Sequence, residues 1–380
     1  MAQTLKTDKI LFTTVVLMVL FGAVMIYSAS SVVADIKKGS SYFYAIRQII
    51  WIVAAIPLMM WLKTLNYRKL NTPAVAFTAM SIVVMLLVIV YFADAKQHRW
   101  IRIPGVGQLQ PSEFAKPALA LFLAYFLALR SKAINSKATL MPVAMALLVV
   151  TVGVVLADLG TALVLIGMAA IVLLAAGLKL KYVGWSLVFV FVLGVGAIAV
   201  KPYRLARVVS KLDPKFTYID KYDRAGWVRG QIAKTITAQD TEYQPKQARI
   251  AVGSGGLMGL GLMQGRQKLF YLPEAHTDTI FAVVGEEFGL LGCTAVLIGF
   301  VVILWRGTHA AVFIPDDFGR YLALGITSAL VIQAFFNMTV IVGIFPTKGI
   351  PLPMISFGGS SLMVTLASLG VLLNISEHAG

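Results

Sequence analysis

The chain has 380 residues, of which 59% are hydrophobic and 13% charged, with a mean hydropathy of +0.84. A soluble domain carries about 25% charged residues, so this composition excludes a water-soluble globular protein and fits a polytopic membrane protein. The net charge of +16 suits anionic head groups or a phosphate-bearing ligand, but the basic residues are dispersed among loops, which argues against nucleic acid; the lone Cys293 rules out an intrachain disulfide and a cysteine metal site.

Apolar runs of about 17–25 residues are the unit that crosses a bilayer. In chain order they fall near 10–34, 45–62, 73–93, 113–130, 138–157, 159–178, 182–200, 279–305, 319–345 and 353–375. The first, "ILFTTVVLMVLFGAVMIYSAS", is long enough to span and has no A-x-A-like cleavage site. The fifth and sixth are parted only by Asp158, in "LADLGTA". The expected fold is all-α, with about ten transmembrane helices in a single membrane domain over residues 1–380.

An even number of spans puts both termini on one side. If that side is the cytoplasm, the flanking inner segments hold twelve Lys and Arg against seven in the short outer loops, the direction the positive-inside rule favours. The loop 201–278, between the seventh and eighth spans, is then a large basic extracytoplasmic segment. Within it "RGQIAKTITAQ" reads as an amphipathic helix, and "GSGGLMGLGLMQG" as a close-packed or re-entrant turn partly embedded in the membrane. No internal repeat is visible, which speaks against an inverted-repeat transporter.

Charge inside apolar runs is expensive and points to function. In "LQPSEFAKPALALFLAYF", Glu113 and Lys116 stand three apart on one helix face and can pair; a purely structural ion pair explains them equally well. Pro111 and Ser112 start that helix. In "YLPEAHTDTIFAVVGEEFGLLG", Asp278 sits where the eighth span begins, as an N-cap or as a functional acid. Glu286 lies eight residues on, about 12 Å deeper and rotated about 80° from Asp278, which makes it the better placed of the two glutamates to share a cavity with Asp278. Glu287 faces the opposite side and pairs within the bundle. His276 is a lone histidine on the rim. In "FPTKGIPLPMISFGGSSLM", Pro346, Pro351 and Pro353 make a rigid outer turn entering the last span. Lys348 adds a cation there, and Gly358, Gly359, Ser360 and Ser361 permit close helix contact.

The blocks "RWI…LQPSEFAK", "DLGTA", "GSGGL…GLGLMQGRQKLFYLPEAHTD", "GEEFGLLG", "QAFFNM" and "FPTKGIPLPMISFGGSS" together resemble the SEDS family of RodA and FtsW, in order and over nearly the whole chain. "PTKG", "YSASS" and "FYAIRQIIW" lean toward FtsW, the division member, rather than RodA, the elongation member. Two departures stand out: Ala157 precedes the aspartate of "DLGTA" where the family often has Pro, and Thr279 follows "HTD" where it often has Phe.

The resemblance implies a ten-span peptidoglycan glycosyltransferase of the bacterial inner membrane that polymerises lipid II on the outer face. It implies a class B penicillin-binding protein as cross-linking partner, alongside other divisome or elongasome membrane proteins. The family's motifs place the catalytic aspartate at Asp278. The substrate-binding candidates are Arg99, Trp100, Glu113, Lys116, Arg204, Arg207, His276, Glu286, Lys348 and Ser360. Lipid II is α-linked and its polymer β-linked, so one inverting displacement suffices. A glycosidase needs a second carboxyl group to protonate its leaving group, whereas diphosphate departs as a stable anion that cations can hold. Asp278 is expected to take the proton from the attacking 4-hydroxyl; its alternative role is to ligate Mg²⁺ or Mn²⁺ bridging the diphosphate. Burial would raise the pKa of such an acid and nearby arginines would lower it, and the sequence does not decide between them. A lipid II flippase and a synthase-recruiting scaffold are the competing functions.

Overall fold

The computed structural model describes residues 7–94, 99–103, 107–182, 184, 238–345 and 349–379. Helix α1 (Lys9–Lys38) starts on Asp8, whose carboxylate accepts from the Leu11 amide, and ends at Gly39 in the left-handed region. Helix α2 (Phe43–Thr64) and α3 (Pro73–Ala93) follow, the latter capped by Thr72 with Pro73 in its first turn, the position where proline costs no hydrogen bond. A short antiparallel hairpin, β1 (Ile101–Ile103) and β2 (Gly107–Leu109), pairs Ile101 with Leu109. After it come α4 (Pro111–Leu129), α5 (Lys137–Ala157) and α6 (Leu159–Ala175). Four helices complete the described chain: α7 (Ala238–Ser254), α8 (Ile280–Phe313), α9 (Asp317–Val342) and α10 (Gly359–His378).

Eight of the described helices are long and apolar enough to cross a membrane, and α6 is a shorter apolar helix of 17 residues. They match nine of the ten expected spans, so the all-α polytopic fold stands. The seventh, 182–200, lies outside the described residues apart from 182 and 184, as does the loop as far as 237, including most of "RGQIAKTITAQ". Burial separates centre from periphery: the most apolar windows of α4 and α9 are 67% buried and that of α10 61%, against 22–39% for α1, α2, α3, α5 and α8. Helix α10 packs on α2, and α9 touches α8, α4 and α6. The central helices are the ones that carry Glu113, Lys116, Gln333 and Asn337.

Two expected boundaries move, for identifiable reasons. The last span begins at Gly359, not near 353: Pro351, Pro353 and a left-handed Met354 (φ 66°) hold 349–358 as irregular but buried chain. Such backbone is tolerated at membrane depth only when protein surrounds it. Its partners here are the Ser356 hydroxyl, which donates to the Thr277 carbonyl and accepts from the Leu352 amide, and the His276 carbonyl, which accepts from the Phe357 amide. The second change is in α8. Its 34 residues make it about 50 Å long, well beyond a hydrocarbon core of about 30 Å, and it is broken at Gly289 (φ 63°, ψ −155°). The freed carbonyls of Glu286 and Glu287 accept from the Leu260 and Gly261 amides, and the Leu290 and Leu291 amides donate to the Gly256 and Leu257 carbonyls. The glycine-rich segment thus fills the gap in the helix's own ladder, as a close-packed turn should.

Candidate active site

Asp278 lies in the turn before α8. Thr279, not Asp278, holds the N-cap position, so the capping role expected as one alternative is absent. The turn is pinned through its backbone: Asn337 Nδ2, on buried α9, donates to the carbonyls of Asp278 (2.8 Å) and Ile350 (2.7 Å). Pinning the main chain fixes the carboxylate without using its oxygens. Gly349 supplies the opposite wall. A Cβ built there would overlap Asp278 Oδ2 and lie 3.5 Å from Arg99 Nη1. Only glycine allows that approach, which puts the guanidinium at most about 6 Å from the carboxylate, a range over which opposite charge favours the ionised acid.

Arg99 is the hub of this corner. Its Nη2 donates to the Gly349 carbonyl (2.9 Å) and pairs with Asp158 Oδ2 (3.6 Å). Its own amide and that of Trp100 donate to Asp94 at the end of α3, and its guanidinium lies 5.5 Å from the Trp100 ring. Its Nε is buried without an acceptor among the described residues. Asp158 is held in turn by α6, whose first turn offers the Gly160 amide to Oδ1 and the Thr161 hydroxyl to Oδ2. A carboxylate at a helix N-terminus is favoured by the unpaired amides and the macrodipole. The break in "LADLGTA" therefore delivers an anion to Arg99.

Burial pushes the Asp278 carboxyl up to about 6; Arg99 opposes this and loses, with Asp158 and Glu274 adding to the rise. Among the described residues no hydrogen-bond donor engages the Asp278 side chain. His276 has its pKa lowered by burial, with Glu274 opposing and Lys37 assisting, and its ring packs on Tyr44 (4.3 Å between centroids) and Phe357 (5.7 Å). It braces the rim.

Four other candidates are placed in structural roles. Glu286, expected to share a cavity with Asp278, faces the loop instead: its carboxylate accepts from the amides of Arg266 (2.7 Å) and Gln267 (3.0 Å). Wheel geometry failed because α8 folds the glycine-rich segment back onto that face. Glu287 pairs with Lys268 (2.5 Å) and accepts from Ser28 (2.7 Å), inside the bundle as its face implied. Glu113 and Lys116 do pair (2.8 Å), and both are buried. Lys116 also donates to Gln333 Oε1, whose Nε2 donates to the Pro351 carbonyl, and Ser361 donates to Glu113. The pair therefore braces the 349–358 segment from below. Ser360 accepts from the Gln110 amide, a buried link between the starts of α10 and α4. Arg204, Arg207 and Lys348 lie outside the described residues.

Sequence reading missed Asp158, Gln333 and Asn337 as parts of this corner. The first was read as a turn, and the two amides only as part of a motif. The available signal was a pair of amides four apart on an apolar helix, which must find partners on one face.

As for a metal, no group of three His, Cys, Asp or Glu side chains converges among the described residues. Asp278 alone would be a single ligand, facing a guanidinium, so these residues do not make a cation cage.

The family model described as cell cycle protein, which groups FtsW, RodA and SpoVE, matches residues 8–380. A relative from Geobacter metallireducens described as a probable peptidoglycan glycosyltransferase FtsW is 37% identical over 98% of this chain and 95% of its own length. Stage V sporulation protein E of Bacillus subtilis is 35% identical over 98% and 97%. Among solved structures, a chain from a work on coordination of polymerization and crosslinking by a peptidoglycan synthase complex superposes with TM-score 0.73 at 25% identity, over 98% of both chains. The rod shape determining protein RodA of Thermus thermophilus shares the fold, with TM-score 0.65 at 24% identity over 99% of this chain and 98% of its own. The resemblance seen in the motifs thus extends over the chain: this is a multi-pass membrane protein of the FtsW, RodA and SpoVE family.

Proposed function

We propose that the chain is a peptidoglycan glycosyltransferase of the FtsW kind that polymerises lipid II, with Asp278 as the general base. The observation that carries this is a half-buried carboxylate raised to about 6, fixed through its backbone, with no donor among the described residues on its oxygens and a guanidinium facing it. A base is most effective when its pKa lies near the working pH. An ordinary aspartate near 3.9 is too weak; this one is mostly ionised at neutral pH yet basic enough to accept a proton.

The balanced step is a single displacement. The acceptor's 4-hydroxyl oxygen attacks C1 of the donor sugar, its proton passes to Asp278, and the C1–O bond to phosphate breaks. The electron pair leaves with the lipid diphosphate, so inversion follows without a covalent intermediate. Arg99, with a buried N–H still lacking an acceptor, supplies positive charge for the departing diphosphate, a stabilisation that grows as charge develops. Arg204, Arg207 and Lys348 are proposed to add to it, and Trp100 to line the sugar path. Mg²⁺ or Mn²⁺ would have to arrive bound to the diphosphate.

The setting proposed with this reading is the bacterial inner membrane with both termini cytoplasmic, division-type synthesis, and a class B penicillin-binding protein as partner. Reconstituted protein and partner given lipid II provide the test. Asp278→Asn should abolish glycan strands while assembly with the partner survives, and the wild-type rate should rise through a single ionisation near pH 6, in chelator as well. Strand synthesis by Asp278→Asn would leave the flippase or scaffold reading standing; activity lost wholly in EDTA would make the acid a metal ligand.

A further inference from the structure

Helices α3 and α5 leave a groove of about 490 Å³ between them, lined by Val84, Leu87 and Tyr91 on one wall and Leu148, Val152 and Gly153 on the other. Its lining is almost wholly apolar, and its volume falls within the roughly 300–1,000 Å³ usual for ligand sites. The absence of a side chain at Gly153 keeps it open: a Cβ there would lie 3.2 Å from Leu87 Cδ1, already tight, and anything larger would project into the cleft.

The two walls end at the same place. Beyond the end of α3, Asp94 accepts from the Arg99 and Trp100 amides. At the end of α5, Asp158 pairs with the Arg99 guanidinium. Gly153 lies five residues, or about 8 Å, below Asp158, and Leu148 about 15 Å below it. The groove therefore runs down the half of the membrane nearest Asp278, and Arg99, tied to Asp94 and Asp158 at the ends of both walls, stands beyond its upper end. An apolar channel with a guanidinium at its mouth is complementary to one kind of molecule: a long hydrocarbon chain with an anionic diphosphate at its head.

We infer that the α3–α5 groove seats the polyprenyl chain of the lipid-diphosphate substrate. The inference rests on the reading of Arg99 as a diphosphate-holding residue. Lipid tails are as apolar as the groove, so burial in it adds little affinity; its effect is to aim the chain so that the diphosphate meets Arg99 and C1 comes to Asp278.

The test is photolabelling in lipid nanodiscs, with a lipid II analogue bearing a diazirine partway along its prenyl chain. The Asp278→Asn protein is used so that no polymer forms and labelling does not depend on whether that acid is the base. Labelled peptides should map to 84–92 and 148–153, be suppressed by excess undecaprenyl diphosphate but not by phosphatidylglycerol, and fall at least tenfold in a Val152→Trp variant. Equal suppression by phosphatidylglycerol would make the groove an ordinary lipid seat. Labelling concentrated on other helices, or unchanged by Val152→Trp, would equally overturn the inference, and segment 182–200 as the groove's occupant would appear as no labelling of either wall.

Discussion

Arg99→Gln gives the most decisive reading of the electrostatics at Asp278. Glutamine is polar but two bonds shorter, so the change removes the charge together with the Gly349 contact. Carboxylate and guanidinium stand at most about 6 Å apart, and at that separation an effective dielectric of about 20 corresponds to about 3 kcal/mol. Solvent at the half-buried rim reduces this, and at about 1.4 kcal/mol per pH unit the expected displacement is about 1–2 units. The sign is fixed. Arg99 lowers the Asp278 pKa, so its removal raises it, and the unpaired Asp158 left behind pushes the same way. The base is active when ionised, so activity is present above the pKa and lost as pH falls through it. In the lipid II assay, kcat for the wild type should fall off below about pH 6, and for Arg99→Gln the fall should begin at about 7–8. KM should rise separately, because a diphosphate contact is gone. An acid limb unmoved, or moved to lower pH, in a variant that still assembles with its partner would refute the placement of Arg99 against the base.

Three further perturbations test the supports of this corner. Asn337→Ala strips two carbonyls, that of half-buried Asp278 and that of buried Ile350, of their donor; at about 1–3 kcal/mol per unsatisfied group, kcat should drop about ten- to hundredfold with little change in KM. Lys116→Met leaves Glu113 buried without its partner and should cost about 3–5 kcal/mol, read as a lowered unfolding temperature, with Glu113→Gln/Lys116→Met recovering most of it; a double variant as unstable as the single one would show that charge pairing is not the reason. Gly289→Ala forces a side chain into a backbone region of φ 63° and ψ −155°, with a Cβ 2.5 Å from the Gly259 amide nitrogen. Strain of about 1–3 kcal/mol should appear as faster hydrogen exchange at Leu260 and Gly261, whose amides bond the broken helix.

Local signals fixed more of the fold than of the site. Apolar run length located nine spans, and the Asp158 break needed only a polar residue followed by Gly and Thr. The Glu113–Lys116 pair followed from spacing alone. What periodicity could not convey was chain departing from regular geometry. A helical wheel counts Asp278 as part of α8, although the helix starts only at Ile280, and it cannot show the glycine-rich segment packed on the face of Glu286. Proline count marked a turn before the last span but not the buried course of 349–358, which depends on the side chains of Gln333 and Asn337 reaching it from the preceding helix α9. Whether burial or Arg99 would dominate at Asp278 is likewise a property of the assembled corner and not of any segment.

The cost of charge near lipid explains why these acids sit where they do. An unpaired buried carboxylate is expensive, and Glu113, Asp158, Glu286 and Glu287 each avoid that state: the first two through Lys116 and Arg99, the third through two backbone amides, the fourth through Lys268 and Ser28. Each of those contacts also ties down a segment bordering Asp278. The 349–358 chain is held from α4 through Gln333, the Arg99 corner from α6, and the glycine-rich segment from α8. Asp278 differs because its backbone is fixed while, among the described residues, its carboxylate accepts no hydrogen bond. Supplying donors to those oxygens would stabilise the anion, lower its basicity and disable proton transfer. Burial, with Asp158 and Glu274 beside it, raises the pKa of this acid, and on the proposed reading that makes it basic enough to take the proton of a substrate hydroxyl.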